Sequence, residues 1–382
     1  MDSSVNGLSF ARSLGRRRVP VLMLDSHRFL GAYTRYARFI RLAPADERPD
    51  EWLELLDYVG ARLDAPGVLF PTSDVSCQLI ARHRDTLKRY FRFVLADEDA
   101  LSHIVNKRLQ YETAQQVGIS IPETHYPESV ADVRQLSSNI SYPCLLKPCQ
   151  SESARRFMPG KKVLVTQSAS ELISAYQHLA PFNIPFMLQE IVPGGDSALF
   201  GYLGFWDDQM RERAWVTKRK LRQYPQQFGD GSVQVTVDAP EVAELSTRLL
   251  RAFNYRGFVC VEFKWDVRTQ AFRLIECNPR TASGNQLAIS AGVDFPWLGY
   301  QYLQGADLES DVGRARPGVR YVNEEWDIQA YLALRTSGDL SFRDWLTSIR
   351  GAEAWALGAY DDPLPLLAGL WRFLSTIPVT KD

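Results

Sequence analysis

Residues 257–280 read GFVCVEFKWDVRTQAFRLIECNPR. Two runs rich in β-branched and aromatic residues, Phe258–Trp265 and Ala271–Asn278, flank the polar connection Asp266–Gln270, a pattern that predicts a β-hairpin. Side chains alternate along a strand, so Glu262 shares a face with Cys260 and Lys264, opposite Val259, Val261, Phe263 and Trp265. On the second strand Glu276 and Asn278 share a face, their Cα atoms roughly 6.5–7 Å apart. If the strands pair, Glu262 joins that face. Two carboxylates and an amide oxygen suit a hard divalent cation such as Mg2+, which takes oxygen ligands and commonly keeps one or two carboxylates beside substrate phosphates. Two acids on a solvated strand face, with no metal, is the competing reading.

The chain has 382 residues, more than one core usually supports, so two to four subdomains are expected. Apolar residues are 45% and charged ones 23%, the balance of an ordinary globular protein. The net charge of −1 provides no global field for nucleic acid or an anionic membrane. The five cysteines contain no C-x-x-C pair, which favours reduced thiols and a cytoplasmic location. The five histidines are equally dispersed, which argues against zinc. There is no apolar run of spanning length and no signal-peptide core at the N-terminus.

The string Glu262-x13-Glu276-x-Asn278-Pro279-Arg280 resembles the metal-binding hairpin of the ATP-grasp superfamily, and Thr281–Gly292 resembles the segment that follows it there. Asn106-Lys107-Arg108 with Val117–Pro122 resembles the entry to that family's nucleotide domain. The resemblance runs from about Asn6 to Gly305 and is strongest from Leu101 to Gly292. The layout is most similar to stand-alone carboxylate–amine ligases of the carbamoyl-phosphate-synthase-like and D-aspartate-ligase-like type. It implies an α/β fold, α+β within the nucleotide domain. The expected parts are a Rossmann-like parallel-sheet domain (1–100), a lid and connecting region (101–187), a nucleotide- and metal-binding subdomain (188–305) and a mostly helical extension (306–382).

The resemblance also implies roles. ATP would bind with two Mg2+ or Mn2+ ions held by Glu262, Glu276 and Asn278. Lys107 would reach the phosphates and Lys147 the α-phosphate. Glu190 and Val192 would flank the adenine, and Asp196 would reach the ribose. Lys147 can also be read from its own context, YPCLLKP. A buried ammonium needs an anion, either a phosphate or a protein carboxylate. The following loop, CQSESARRFMPG (149–160), departs from the family's glycine-rich pattern. It offers Ser151 and Ser153, with Arg155 and Arg156 supplying charge where backbone amides would have done so.

Lys218, Arg219, Lys220 and Arg222 alternate on a predicted strand, so Lys218 and Lys220 share a face and Arg222 joins them if the strand continues. The chain lacks the broad basic surface with stacking aromatics that RNA binding needs, so contact with a phosphoryl group or a substrate carboxylate is the better-motivated role. Arg280, fixed by Pro279 beside the metal motif, can bind such an anion bidentately. Thr72, Ser73 and Asp74 follow a predicted strand, where open α/β sheets bind ligands, although a helix cap accounts for them equally well. Tyr224–Ser232 is read as a mobile loop.

At the N-terminus a strand should precede the helix that begins near Asn6. Only five residues are available, so either that strand is absent or the assigned start lies late. The tail 362–377 is expected to pack on the nucleotide domain, with a dimer contact or a membrane surface as alternatives. Three functions follow from the resemblance. The first is an ATP-dependent ligase that makes an acylphosphate from a small-molecule carboxylate and joins it to an amine. The second is a carboxylate kinase that stops at the acylphosphate, and the third a nucleotide sensor without catalysis. No nucleic-acid partner is expected, and a two-fold dimer is the general expectation for soluble oligomers.

Overall fold

The computed structural model describes residues 2–150, 154, 156–159, 161–306, 308 and 315–376. Ser151, Ser153 and Arg155 lie outside them. Among the described residues no helix is long and apolar enough to cross a membrane.

The N-terminal part begins with helix Val5–Arg16, capped by the Ser4 side chain. Strands β1 (Leu22–Asp25) and β2 (Arg38–Arg41) pair in parallel, as do β3 (Gly67–Val68) and β4 (Phe91–Arg92). Parallel neighbours require crossovers. The β1–β2 crossover holds the short turn Leu30–Tyr33, the β3–β4 crossover holds helices Asp74–Arg82 and Arg84–Leu87, and helix Pro49–Gly60 joins β2 to β3. The two pairs are separate sheets. Where a first strand was expected, Asp2 and Ser3 tie the pairs together by side-chain bonds. Ser3 N and Oγ both donate to Asp25 (2.8 Å each), and Asp2 N donates to Thr72 Oγ1 (2.7 Å).

The lid is a four-stranded antiparallel sheet of β5 (Thr124–His125), β6 (Cys144–Pro148), β7 (Leu164–Thr166) and β8 (Phe186–Glu190), in the order β5-β8-β6-β7. Cys144, Leu146, Phe186 and Leu188 pack with Val133 and Leu172, from helices Val130–Leu136 and Ala169–Leu179. Alternation therefore turns Leu145, Lys147, Met187 and Gln189 to the other face. The expected division at 187/188 falls inside β8.

The largest sheet holds β9 (Leu199–Trp206), β10 (Glu212–Tyr224), β11 (Asp230–Thr236), β12 (Gly257–Asp266), β13 (Ala271–Asn278), β14 (Arg320–Val322) and β15 (Ala354–Trp355), in the order β13-β12-β9-β10-β11-β14-β15. Val259, Val261 and Phe263 enter one core with helix Pro240–Ala252 and with residues of helices Glu98–Val105 and Lys107–Gln116. Phe258 and Cys260 face the other way, onto Phe10, Ala288 and Phe295.

One expectation changes here. The mobile loop 224–232 is a tight hairpin in which Tyr224 pairs with Asp230 and Gln223 with Gly231. A Cβ on Gly229 would lie 2.1 Å from Pro225 O, so only glycine allows that turn. The extension beyond 306, expected to be mostly helical, carries helices Glu324–Ser337, Phe342–Ile349 and Leu364–Thr376, with β14 and β15 completing the sheet. Helix Leu364–Thr376 packs on residues 30–33 of the N-terminal part, and its Leu366 and Ala368 join a cluster that holds Leu287 and Ala291. Its exposed side carries Leu367, Leu370, Trp371 and Leu374.

Candidate nucleotide and metal site

In the β12–β13 hairpin Glu262 stands opposite Glu276, and Cys260 opposite Asn278. A register shift follows, since Phe263 is opposite Leu274 and Ile275 is the additional residue. Directly opposed side chains have Cβ atoms about 4.5–5.5 Å apart. The two carboxylates therefore form one cross-strand pair, with Asn278 next to Glu276 on the same face. Asn278 Nδ2 donates to Glu276 Oε1 at 3.0 Å. The row continues across the sheet, from Glu262 to Gly201 on β9, Lys218 on β10 and Thr236 on β11.

Gly201 lets the lysine cross. A Cβ there would lie 2.8 Å from Lys218 Cε. Lys218, only 3% exposed, donates to Gln234 Oε1 at 2.7 Å. Lys220 reaches the carboxylate pair itself, with Nζ 3.0 Å from Glu262 Oε2. Burial alone would pull the Lys220 ammonium down, but Glu262 and Asp230 more than offset it and hold it above the usual lysine range. Arg222 does not join these lysines. Register shifts at 220–223 break the alternation, and Arg222 instead pairs with buried Asp327 at 2.7 and 3.1 Å.

The opposite wall supplies Lys147 from β6 and Lys107 from the first turn of helix Lys107–Gln116, both buried. Burial pulls both ammonium groups below their usual range, with Glu276 opposing. Burial pushes the Glu276 carboxyl up in turn, yet Lys107, Lys147 and Lys162 outweigh it and hold it well below the usual carboxylate range. Lys147 thus lies in the field of a protein carboxylate, Glu276, as one of its two sequence readings required.

The N-terminal part closes the far end. Arg280 Nε lies 2.8 Å from Asp74 Oδ1. Asn6 Nδ2 donates to Thr72 O (3.3 Å) and Thr281 O (3.0 Å), and Thr281 Oγ1 donates to Asn6 Oδ1 (2.8 Å). Ser73 caps helix Asp74–Arg82, as its cap reading required, while Asp74 meets Arg280. At the hinge the Glu190 carboxylate points away from the lysines. It accepts from Glu123 N (3.0 Å) and pairs with Arg268 (2.7 Å). Val192 is buried. Both oxygens of Asp196 are engaged by Gln223, at 3.0 and 2.7 Å. A cavity of about 530 Å³ lies against the end of β8, lined in part by Glu190, Tyr126, Arg268 and Arg273.

Sequence reasoning missed Lys162, Asp230 and Gln234. Asp230 lies in the stretch read as a loop, and nothing local marks Lys162, Asp230 or Gln234 as meeting the residues of β12 and β13. Among the described residues no three His, Cys, Asp or Glu side chains cluster as a ready-made metal cage. Two carboxylates and one amide oxygen fit a hard cation whose remaining ligands come from phosphate and water.

A family described as ATP-grasp in the biosynthetic pathway with Ter operon matches residues 207–326. D-aspartate ligase from Enterococcus faecium (strain Aus0004) is 24% identical over 224 residues, 56% of this chain and 53% of that protein. The chain thus spans about half the length of that curated relative. Three solved structures are similar in fold. The ADP complex of purK, an N5-carboxyaminoimidazole ribonucleotide synthetase, has a TM-score of 0.65 at 13% identity, over 88% of this chain and 83% of that one. The L-amino acid ligase from Bacillus licheniformis has a TM-score of 0.63 at 15% identity, over 84% and 77%. The biotin carboxylase domain of Hydrogenobacter thermophilus 2-oxoglutarate carboxylase, with MgADP and bicarbonate, has a TM-score of 0.64 at 13% identity, over 84% and 72%. The chain has the ATP-grasp fold. Within that fold, the stretch that holds the β12–β13 hairpin is similar to the family described for the biosynthetic pathway with Ter operon.

Proposed function

We propose that the chain is an ATP-dependent ligase that activates a carboxylate as an acylphosphate and joins it to an amine. The observation that carries this reading is the cross-strand pair Glu262–Glu276 with Asn278 beside it, set among lysines. Lys107, Lys147, Lys162, Lys218, Lys220 and Arg280 surround the cleft, against the carboxylates of Glu262, Glu276, Asp74 and Asp230. That excess of positive charge, in a protein of net charge −1, suits an anionic nucleotide.

Phosphoryl transfer is served by positioning and charge neutralisation, so no protein nucleophile is required. A carboxylate oxygen attacks the γ-phosphorus and ADP leaves. The amine nitrogen then attacks the acyl carbon, phosphate leaves, and the nitrogen loses a proton to solvent. Glu262, Glu276 and Asn278 would hold two Mg2+ or Mn2+ ions, which neutralise phosphate charge. Lys107 and Lys147 bind phosphate oxygens, and Lys218 and Arg280 orient the substrate carboxylate. The relatives named for D-aspartate and L-amino acids make an amino acid the first substrate class to test.

The test is ADP release with carboxylate–amine pairs, comparing wild type with Glu276→Gln. We expect release to depend on both substrates, and kcat/KM to fall at least 100-fold in the variant, as when electrostatic catalytic contacts are lost. Equal turnover in the two proteins would refute the metal role. Turnover with the carboxylate alone would indicate the kinase reading.

A further inference from the structure

Lys162 and Asp230 contribute charge to the cleft above but are given no contact with a substrate, and they join the lid to β11. Lys162 precedes β7, whose register with β6 pairs Leu146 with Leu164. Lys162 itself sits at a bend two residues before that strand. Its Nζ lies 3.3 Å from Asp230 Oδ1, on the first residue of β11. The preceding residue, Gly229, accepts from Lys220 Nζ at 3.4 Å, and Lys220 also holds Glu262. One short turn thus links a lid ammonium to the metal face.

The side chains of Lys162 and Asp230 are 61% and 52% exposed. Exposed pairs of this kind hold weakly and exchange partners readily. The charge of Lys162 also acts on Glu276, so it lies within the field of the metal carboxylates. A more highly charged anion in that field outcompetes a single carboxylate.

We propose that Lys162 is a phosphate-binding residue that Asp230 holds in the nucleotide-free protein and yields when nucleotide enters. The inference rests on the nucleotide reading of the cleft. It makes Asp230 a competitor of the phosphates, which a merely structural latch is not.

The test is calorimetric titration of the full-length protein with ADP and Mg2+. Lys162→Met should weaken binding about 10-fold and Lys162→Arg should largely restore it. Asp230→Asn should tighten binding several-fold, and that gain should shrink in the Lys162→Met background, since coupled residues are non-additive. Weakening by both single variants, or a gain from Asp230→Asn that persists in full without Lys162, overturns the exchange. A wild type that binds no MgADP overturns the nucleotide reading itself, a result distinct from failure of the exchange.

Discussion

Gly201 decides what the strand face beside Glu262 can contain. It lies between Glu262 and Lys218 in the cross-strand row, and its missing side chain is the space the lysine occupies. Gly201→Val would place Cβ against Lys218 Cε and force the ammonium away from Gln234. Overpacking of this kind costs about 1–3 kcal/mol. We expect a folded protein with a lowered melting midpoint and kcat/KM reduced at least 10-fold, measured by thermal unfolding and ADP release. Lys218 and Lys220 were legible in the sequence because strand alternation is local. Arg222 was not, because its partner Asp327 lies 105 residues away and a register shift broke the alternation between them.

Among the elements, the hairpin β12–β13 was readable because alternation and turn residues coincide there. Strands β14 and β15, of three and two residues, are too short to show a period. Helix Glu324–Ser337 fastens them, since Glu324 accepts from Leu357 N (3.0 Å) and Gly358 N (2.6 Å). Burial raises the Glu324 carboxyl above its usual range, although those amides oppose the shift. A carboxyl raised by folding contributes stability that is fully present below its unfolded value, about 4.3, and is lost as pH rises through its folded value. Glu324→Gln should therefore flatten the fall in unfolding midpoint as the pH rises from about 4. An unchanged pH profile in denaturant unfolding would contradict that origin.

Over the whole molecule, the N-terminal helix acts as a clamp between distant parts of the chain. Arg12, 2% exposed, pairs with Asp362 at 2.9 Å and donates to Leu357 O (2.6 Å) and Ala356 O (3.2 Å). Breaking one side of a buried ion pair leaves an uncompensated charge, at a cost of about 3–5 kcal/mol. Arg12→Ala should lower the unfolding free energy by that amount, while Arg16→Ala, whose partner Asp361 is reached at the surface, should cost under about 1 kcal/mol. Denaturant titration of both variants checks the contrast. The same helix brings Asn6 to Thr281, and the Thr72–Asp74 segment to Arg280, so one set of contacts builds both the domain interface and the far wall of the cleft.

Local alternation by itself determined that two carboxylates and an amide share one strand face, because a period of two needs only neighbouring residues. The tertiary structure decided which cation meets which anion. Lys220 meets Glu262 across 42 residues, Lys162 meets Asp230 across 68, and Arg280 meets Asp74 across 206. Electrostatic pairing depends on distance in space and on burial, and neither is set by any short stretch of sequence.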